Sequence, residues 1–229
     1  MKNMPQNGFR SVILLSLLNL TMTACASFPQ SAPAPPAPAR SGPSASELYR
    51  QGLDLLKDFK YLEAKEAFDR MIAKDPGHIQ AYYQRGKALV ELKLLGQADS
   101  DFTRCLQLDA GYAYGYVGKA QVFMFNQEFG AAMQQVDKAL SLDPGNAEAW
   151  YQKGNINAYQ KKWNPAIAAY KKCLEVQPDH AYAHYYLALA YNQVNRKDLT
   201  IDHLQKFLHL APNAPEAAQV RKLLNQLQK

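Results

Sequence analysis

The feature that most constrains the fold of this chain is an internal period of 34 residues. A small residue recurs at this spacing, at Ala64, Ala98, Ala132 and Ala166. Other small, bulky apolar and proline positions follow the same period, so the range from Ala45 to Ala214 divides into five units without insertion or deletion. A repeat of this length cannot bury its own apolar face, so neighbouring units must stack to form one continuous core.

The repeated unit resembles the tetratricopeptide repeat, whose pattern is W-x2-L-G-x2-Y, then A-x3-F, then P. The fourth unit matches it best, with Trp150, Gly154, Ala166, Tyr170 and Pro178 in place. The resemblance implies an all-α fold, a right-handed α-solenoid of five helical hairpins. The predicted units are 45–78, 79–112, 113–146, 147–180 and 181–214.

Particular positions of the unit predict how each hairpin packs and ends. Small residues at positions 8 and 20 let the two helices approach, and bulky residues fill the remaining space. A proline recurs at position 32, where it ends the second helix because proline disfavours the helical state of the residue before it. Residues 215–229 form an amphipathic pattern, and we expect a helix there that caps the stack with a polar outer face.

The N-terminal residues are typical of an export signal. Lys2 and Arg10 precede the apolar run from Ser11 to Leu20, and no acidic residue occurs before Glu47. This pattern predicts a signal peptide over residues 1–24. The apolar run is too short to span a bilayer, which requires roughly 20 residues.

The end of the signal resembles the bacterial lipobox. Met22 stands where leucine is usual, and small residues lead to Cys25. The resemblance implies that Cys25 is acylated and becomes the mature N-terminus. Cleavage after Ala26, which would leave an exported protein without a lipid, is the alternative.

Residues 25–44 are rich in proline and alanine, which predicts an extended tether between the lipid and the repeats. Asp after the acylated cysteine commonly signals retention in the inner membrane, but this chain has Ala26 there. We therefore expect a lipid anchor in the outer membrane, facing the periplasm, if the host has two membranes.

Charge and glycine patterns argue against nucleic acid and nucleotide ligands. The chain has 26 basic and 20 acidic residues, and no basic cluster is evident. The segment "GYAYGYVGKA", residues 111–120, looks like a phosphate loop, but Ala113 and Ala120 replace its required glycine and hydroxyl residue. We expect Gly111 in a turn between units, Gly115 and Gly118 in a helix, and no cofactor.

Cysteine and histidine positions predict packing roles. Cys105 and Cys173 share position 27 of their units, which predicts buried free thiols, since two units separate them. His180 and His184 are four residues apart, a spacing that could bind a metal on one side of a helix. No third ligand is evident nearby, so we interpret His184 as a packing residue and predict no metal site.

No catalytic constellation is recognisable. The motifs H-E-x-x-H, G-x-S-x-G and C-x-x-C do not occur in the sequence. Acidic pairs such as Asp99 with Asp101 are expected on solvent-exposed helix faces. Catalysis requires groups held around a water-excluding site, so the sequence predicts a protein that is not an enzyme.

The first helix of each unit predicts where a partner binds. Successive residues of a helix differ by about 100°, and positions 4, 8 and 11 carry core residues. Positions 2, 5, 9, 12 and 13 therefore lie on the opposite side, which in this family lines the concave groove. The predicted groove residues are Tyr49, Tyr83, Lys87, Tyr114, Gln121, Phe125, Tyr151, Asn155, Tyr159, Tyr182, Tyr185 and Asn192.

Exposed aromatic groups gathered on one side of these helices usually mark an interaction surface, although tyrosines can also pack between neighbouring helices. The family's carboxylate clamp is not matched, because Tyr49, Leu53 and Gly118 stand at its first lysine, asparagine and arginine positions. The groove is therefore expected to bind an extended peptide or helix mainly by stacking and amide hydrogen bonds.

Together these features predict a membrane-tethered, non-catalytic scaffold or adaptor that binds another protein in envelope complex assembly. The chain resembles envelope lipoproteins built from such repeats, including type IV pilus pilotins and adaptors of peptidoglycan hydrolases. Two alternatives remain open, namely an accessory subunit of an envelope enzyme and a groove for glycan rather than peptide.

Overall fold

The computed structural model describes residues 42–228, which form eleven α-helices and no strand. The helices are α1 (Ala45–Lys57), α2 (Tyr61–Lys74), α3 (Ile79–Glu91), α4 (Leu95–Leu108), α5 (Ala113–Phe125), α6 (Phe129–Leu142), α7 (Ala147–Tyr159), α8 (Trp163–Val176), α9 (Ala181–Gln193), α10 (Lys197–Leu210) and α11 (Ala217–Leu227). The first ten pack as five consecutive hairpins, and α11 packs on α10. The prediction of an all-α solenoid with a capping helix is confirmed.

The predicted signal peptide and Cys25 lie outside the described residues, as does the predicted tether up to residue 41. Within residues 42–228, no helix combines the length and the apolar character needed to cross a membrane.

The turn inside each hairpin has the same backbone structure. Phe59, Lys93, Gln127, Lys161 and Asn195 are spaced by one repeat and adopt positive φ between 58° and 62°. In the first hairpin, for example, the N–H of Phe59 donates to the carbonyl of Leu56. The N–H of Lys60 donates to the carbonyl of Leu55. This is a Schellman motif, which satisfies the last carbonyls of the first helix and fixes the start of the second.

The turns between hairpins explain the glycine that resembles part of a phosphate loop. The N–H of Gly111 donates to Asp109 Oδ1 at 2.8 Å, and Gly77 and Gly145 make the same bond in other units. Gly115 lies in α5, where an added Cβ would be 2.6 Å from Leu106. These glycines serve turns and close helix packing, as the repeat pattern predicts.

A ring from the second helix fills a gap left by a glycine in the first. In the second hairpin the fully buried ring of Phe102 lies against Gly86, where an added Cβ would be 2.5 Å from the ring. Gly52 with Phe68 and Gly154 with Tyr170 repeat this contact. Because interiors are close-packed, this fit sets the separation of the paired helices.

One acidic residue differs from the sequence-based expectation. Asp101 was expected to be exposed, but its side chain is 7% exposed. Arg85 of α3 donates to both of its oxygens, at 2.8 and 2.6 Å, and also to Asp69 of α2 at 2.7 Å. The exposed-face interpretation of Asp101 is wrong because the first helix of its own hairpin supplies a cation, Arg85, that the helix of Asp101 alone cannot indicate. Asp99 does remain on the surface, paired with Lys119.

The two described cysteines are buried and free, which confirms the prediction for Cys105 and Cys173. Burial is the main cause that raises the pKa of each thiol to about 12. Both cysteines are thus small packing residues within the helical stack.

His184 has a packing role with a partner that the sequence spacing does not indicate. Its Nε2 lies 3.0 Å from the carbonyl oxygen of Pro178, which can only accept, so Nε2–H donates. Its Nδ1 therefore accepts from His203 Nδ1, 2.8 Å away. Burial lowers the pKa of both rings, that of His203 to about 4, so the pair is neutral near pH 7.

The glycine–ring contact generates a stability prediction. Gly86→Ala should lower the free energy of unfolding by about 1–3 kcal/mol, because the buried ring of Phe102 cannot move away from the added methyl group. The control is Gly130→Ala in α6, where nothing lies within 4 Å of an added Cβ. Urea unfolding should show the control to be unchanged or slightly more stable. Equal stability of the two variants would mean that the contact does not constrain the hairpin.

Candidate functional site

A cavity of about 760 Å³ lies against the first helices of the repeats. Most of its wall is formed by side chains from α3, α5, α7 and α9. The rest comes mainly from the end of α1, the starts of α2 and α6, and the turns that follow α1 and α5. The volume lies within the range of about 300–1,000 Å³ that is usual for ligand sites. The cavity is therefore large enough for a few side chains of a partner.

The structure divides the predicted groove residues into two sets. Those that line the cavity are Lys87, Gln121, Phe125, Tyr151, Asn155, Tyr159 and Tyr182. Those that do not line it are Tyr49, Tyr83, Tyr114, Tyr185 and Asn192.

The tyrosines at position 5 of the units are largely used for packing between hairpins. Tyr49 lies against His78 with ring centroids 4.8 Å apart, and Tyr151 lies against His180 at the same separation. Tyr83 contacts Tyr112 edge to face, with ring centroids 6.2 Å apart, and is 4% exposed. In each case the partner is the last residue of the unit, so stacking of adjacent hairpins covers this position.

Aromatic side chains at position 13 remain open to the solvent. Phe125 is 44% exposed and Tyr159 is 67% exposed. Tyr159 stacks on Phe129, with ring centroids 6.0 Å apart and planes 23° apart. The ammonium group of Lys93 lies 4.1 Å from the centre of the Phe125 ring. These rings form the exposed apolar rim of the cavity.

The first and last hairpins meet at the cavity. Phe59, in the turn after α1, packs against the cluster that contains Phe207 and Leu224. Tyr61 follows it on the cavity wall, and burial with the charges of Glu91 and Glu216 raises its pKa to about 12. The turn of the first unit thereby completes the cavity wall.

A chain of hydrogen bonds runs through the polar part of the cavity. Gln152 Nε2 donates to Glu148 Oε1 at 2.9 Å, and Asn155 Nδ2 donates to Gln152 Oε1 at 3.2 Å. Tyr170 donates its hydroxyl proton to Asn155 Oδ1 at 2.8 Å. Because the amides of Gln152 and Asn155 are engaged, the network holds the side chain of Glu148 in one orientation.

Glu148 is the central charge of this network. Its side chain is 17% exposed, and His180 Nε2 lies 3.4 Å from its Oε2. Burial raises the pKa of this carboxyl, but the hydrogen bond from His180, the charge of Lys87 and the bond from Gln152 outweigh burial and lower the pKa to about 2. Glu148 is therefore ionised at neutral pH.

Several cavity residues were not predicted. Glu148 occupies position 2 of its unit, as do Tyr114 and Tyr182, so the helical position could have identified it. Phe59 lies in the turn of the first unit and Tyr61 in its second helix, and no helix position within one unit indicates that Phe59 contacts the last unit. Among residues 42–228, no group of three or more His, Cys, Asp or Glu side chains is arranged to hold a metal ion.

Stacked helical hairpins with a side-chain-lined cavity define a helical-repeat scaffold. Family models described as the tetratricopeptide repeat match residues 79–112, 147–180 and 182–214. These matches and the stacked hairpins show a tetratricopeptide-repeat protein, and repeats of this kind generally form scaffolds for protein interaction. No curated protein sequence matches it.

The solved structure of a repeat protein shows the same fold. The chain is similar to TTC0263, a tetratricopeptide-repeat protein of Thermus thermophilus, with a TM-score of 0.69, 20% identity, and coverage of 81% of this chain and 99% of that one. It is also similar to MamA, with a TM-score of 0.47 and 22% identity over 69% of this chain and 93% of that one. YrrB, described as a tetratricopeptide-repeat protein with an unusual peptide-binding site, has a TM-score of 0.47 and 20% identity to this chain. The match covers 78% of this chain and 92% of that one.

Proposed function

We propose that the protein is a non-catalytic scaffold or adaptor that binds a segment of another protein in the cavity. The observation that carries this proposal is the pair of exposed rings, Phe125 and Tyr159, on the wall of a cavity that also holds fixed polar groups. Exposed apolar rings around oriented polar groups are typical of a recognition site. Aromatic side chains provide a large contact area at low cost in conformational entropy.

The size of the cavity supports an extended peptide or a helix as the ligand. A volume of about 760 Å³ accepts a few side chains but not a folded domain. The bound segment would lie across Phe125 and Tyr159 and project side chains toward Asn155 and Glu148.

Removal of the exposed rings should weaken partner binding without unfolding the protein. The double variant Phe125→Ala/Tyr159→Ala removes two large contact surfaces, each of the kind whose loss costs about 2 kcal/mol in binding. We expect at least a tenfold loss of captured partner, measured by quantitative mass spectrometry after affinity purification from solubilised envelopes. The helical circular dichroism should be unchanged.

The matched control is Leu62→Ala. Leu62 is an exposed apolar side chain, 56% exposed, that does not line the cavity. Its variant should capture partner as the unmodified protein does. Full capture by the double variant, or equal loss in the control, would place the binding surface elsewhere.

We further propose that the protein is exported and held at a membrane by lipid on Cys25, in the outer membrane facing the periplasm if the host has two membranes. The pattern of Lys2, Arg10 and the apolar run before Cys25 supports this proposal. The several acyl chains of a bacterial lipoprotein would anchor it stably. The scaffold would then act in the assembly of envelope complexes.

Metabolic labelling with a lipid precursor tests the anchor. The unmodified protein should incorporate the label, and Cys25→Ser should not, because the acylated sulfur is lost. Cys105→Ser is the matched control, since Cys105 is buried in the repeats, and it should be labelled normally. Labelling of the Cys25→Ser variant would refute the lipoprotein proposal.

A further inference from the structure

One polar atom on the cavity wall has no partner. Among the described residues, Gln121 Oε1 is the only buried side-chain nitrogen or oxygen atom without a hydrogen bond. Its amide nitrogen donates to Glu148 Oε1 at 3.4 Å. A carboxylate can only accept, so this bond fixes the amide orientation and turns Oε1 away from Glu148. Buried acceptors are rarely left unpaired in folded proteins, and each one lowers stability.

Glu148 has capacity for a further donor. Oε1 already accepts from Gln152 and Gln121, whereas Oε2 has only the long contact with His180 at 3.4 Å. Each carboxylate oxygen can accept two hydrogen bonds. Gln121 and Glu148 both line the cavity, and each has an acceptor with unused hydrogen-bonding capacity.

The charges of the cavity favour a cation. Its wall carries the carboxylates of Glu91 and Glu148 and the ammonium group of Lys87. Carboxylates thus outnumber lysine and arginine side chains on this wall. The rings of Tyr159 and Tyr186 add the electron-rich faces to which cations are attracted. An acidic side chain or a C-terminal carboxylate would instead be repelled by Glu148.

We infer that the cavity accepts one arginine side chain of the partner segment, whose guanidinium donates to Gln121 Oε1 and to Glu148 Oε2. This inference rests on the proposed function and specifies its ligand. Arginine fits better than lysine because the planar guanidinium offers several donors in a fixed geometry. It also stacks on aromatic rings and is more weakly hydrated than an ammonium group.

A peptide selection tests this inference. Random twelve-residue peptides displayed on phage are selected on the purified full-length chain, and the enriched sequences are synthesised. We expect one enriched arginine flanked by apolar residues. Replacing that arginine by citrulline, its neutral isostere, should weaken binding at least tenfold in fluorescence anisotropy, and lysine should bind with intermediate affinity.

Matched variants connect the arginine to its acceptors. Glu148→Gln removes the negative charge with little change of shape, so arginine and citrulline peptides should bind it with nearly equal affinity. Gln121→Leu provides a second test that leaves Glu148 in place, and it should reduce the difference between the two peptides. Glu175→Gln, at an exposed carboxylate outside the cavity, should keep the full difference. Circular dichroism checks that each variant is folded.

The outcomes separate this inference from the proposed function. Selected peptides that are acidic or uncharged, or an arginine preference that survives in both Glu148→Gln and Gln121→Leu, would overturn the arginine site. If those peptides still lose binding to Phe125→Ala/Tyr159→Ala, the cavity remains a peptide site. Undiminished binding to that double variant would overturn the proposed function itself.

Discussion

The contact between a small residue in the first helix and a bulky side chain in the second controls the rest of this structure. Glycine faces a ring in three hairpins, whereas Ala120 faces Val136 and Ala188 faces Leu204 in the other two. The size of one partner is matched by the size of the other. This match keeps the five hairpins similar enough to stack without a break, and the stack brings the first helices together around the cavity.

The stacking of the hairpins also decides which side chains remain exposed at the cavity. Position 5 of one hairpin packs against the last residue of the same unit, which lies just before the next helix. For this reason Tyr83 is buried and Tyr151 lies against His180. Position 13 lies at the end of its helix, beyond this contact, so Phe125 and Tyr159 stay exposed. The same arrangement brings Gln121 of one unit to Glu148 of the next.

The sequence predicts the repeated elements well because the 34-residue period places equivalent residues in equivalent surroundings. It predicts part of the site, including Phe125, Tyr159 and Asn155, because their orientation depends on a single helix. Contacts between units are harder to predict. The contact of Arg85 with Asp69 joins two neighbouring units, and the contact of Phe59 with the last unit depends on the accumulated curvature of the whole stack.

Site-specific photo-crosslinking in living cells tests the central claim, that a partner segment occupies the cavity, most directly. A photoreactive phenylalanine analogue placed at Tyr159 on the cavity rim can be compared with the same analogue at Leu62, an exposed position outside the cavity. If a partner segment occupies the cavity, position 159 should form a covalent adduct with a protein partner and position 62 should not. Adducts from position 62 alone would contradict this claim.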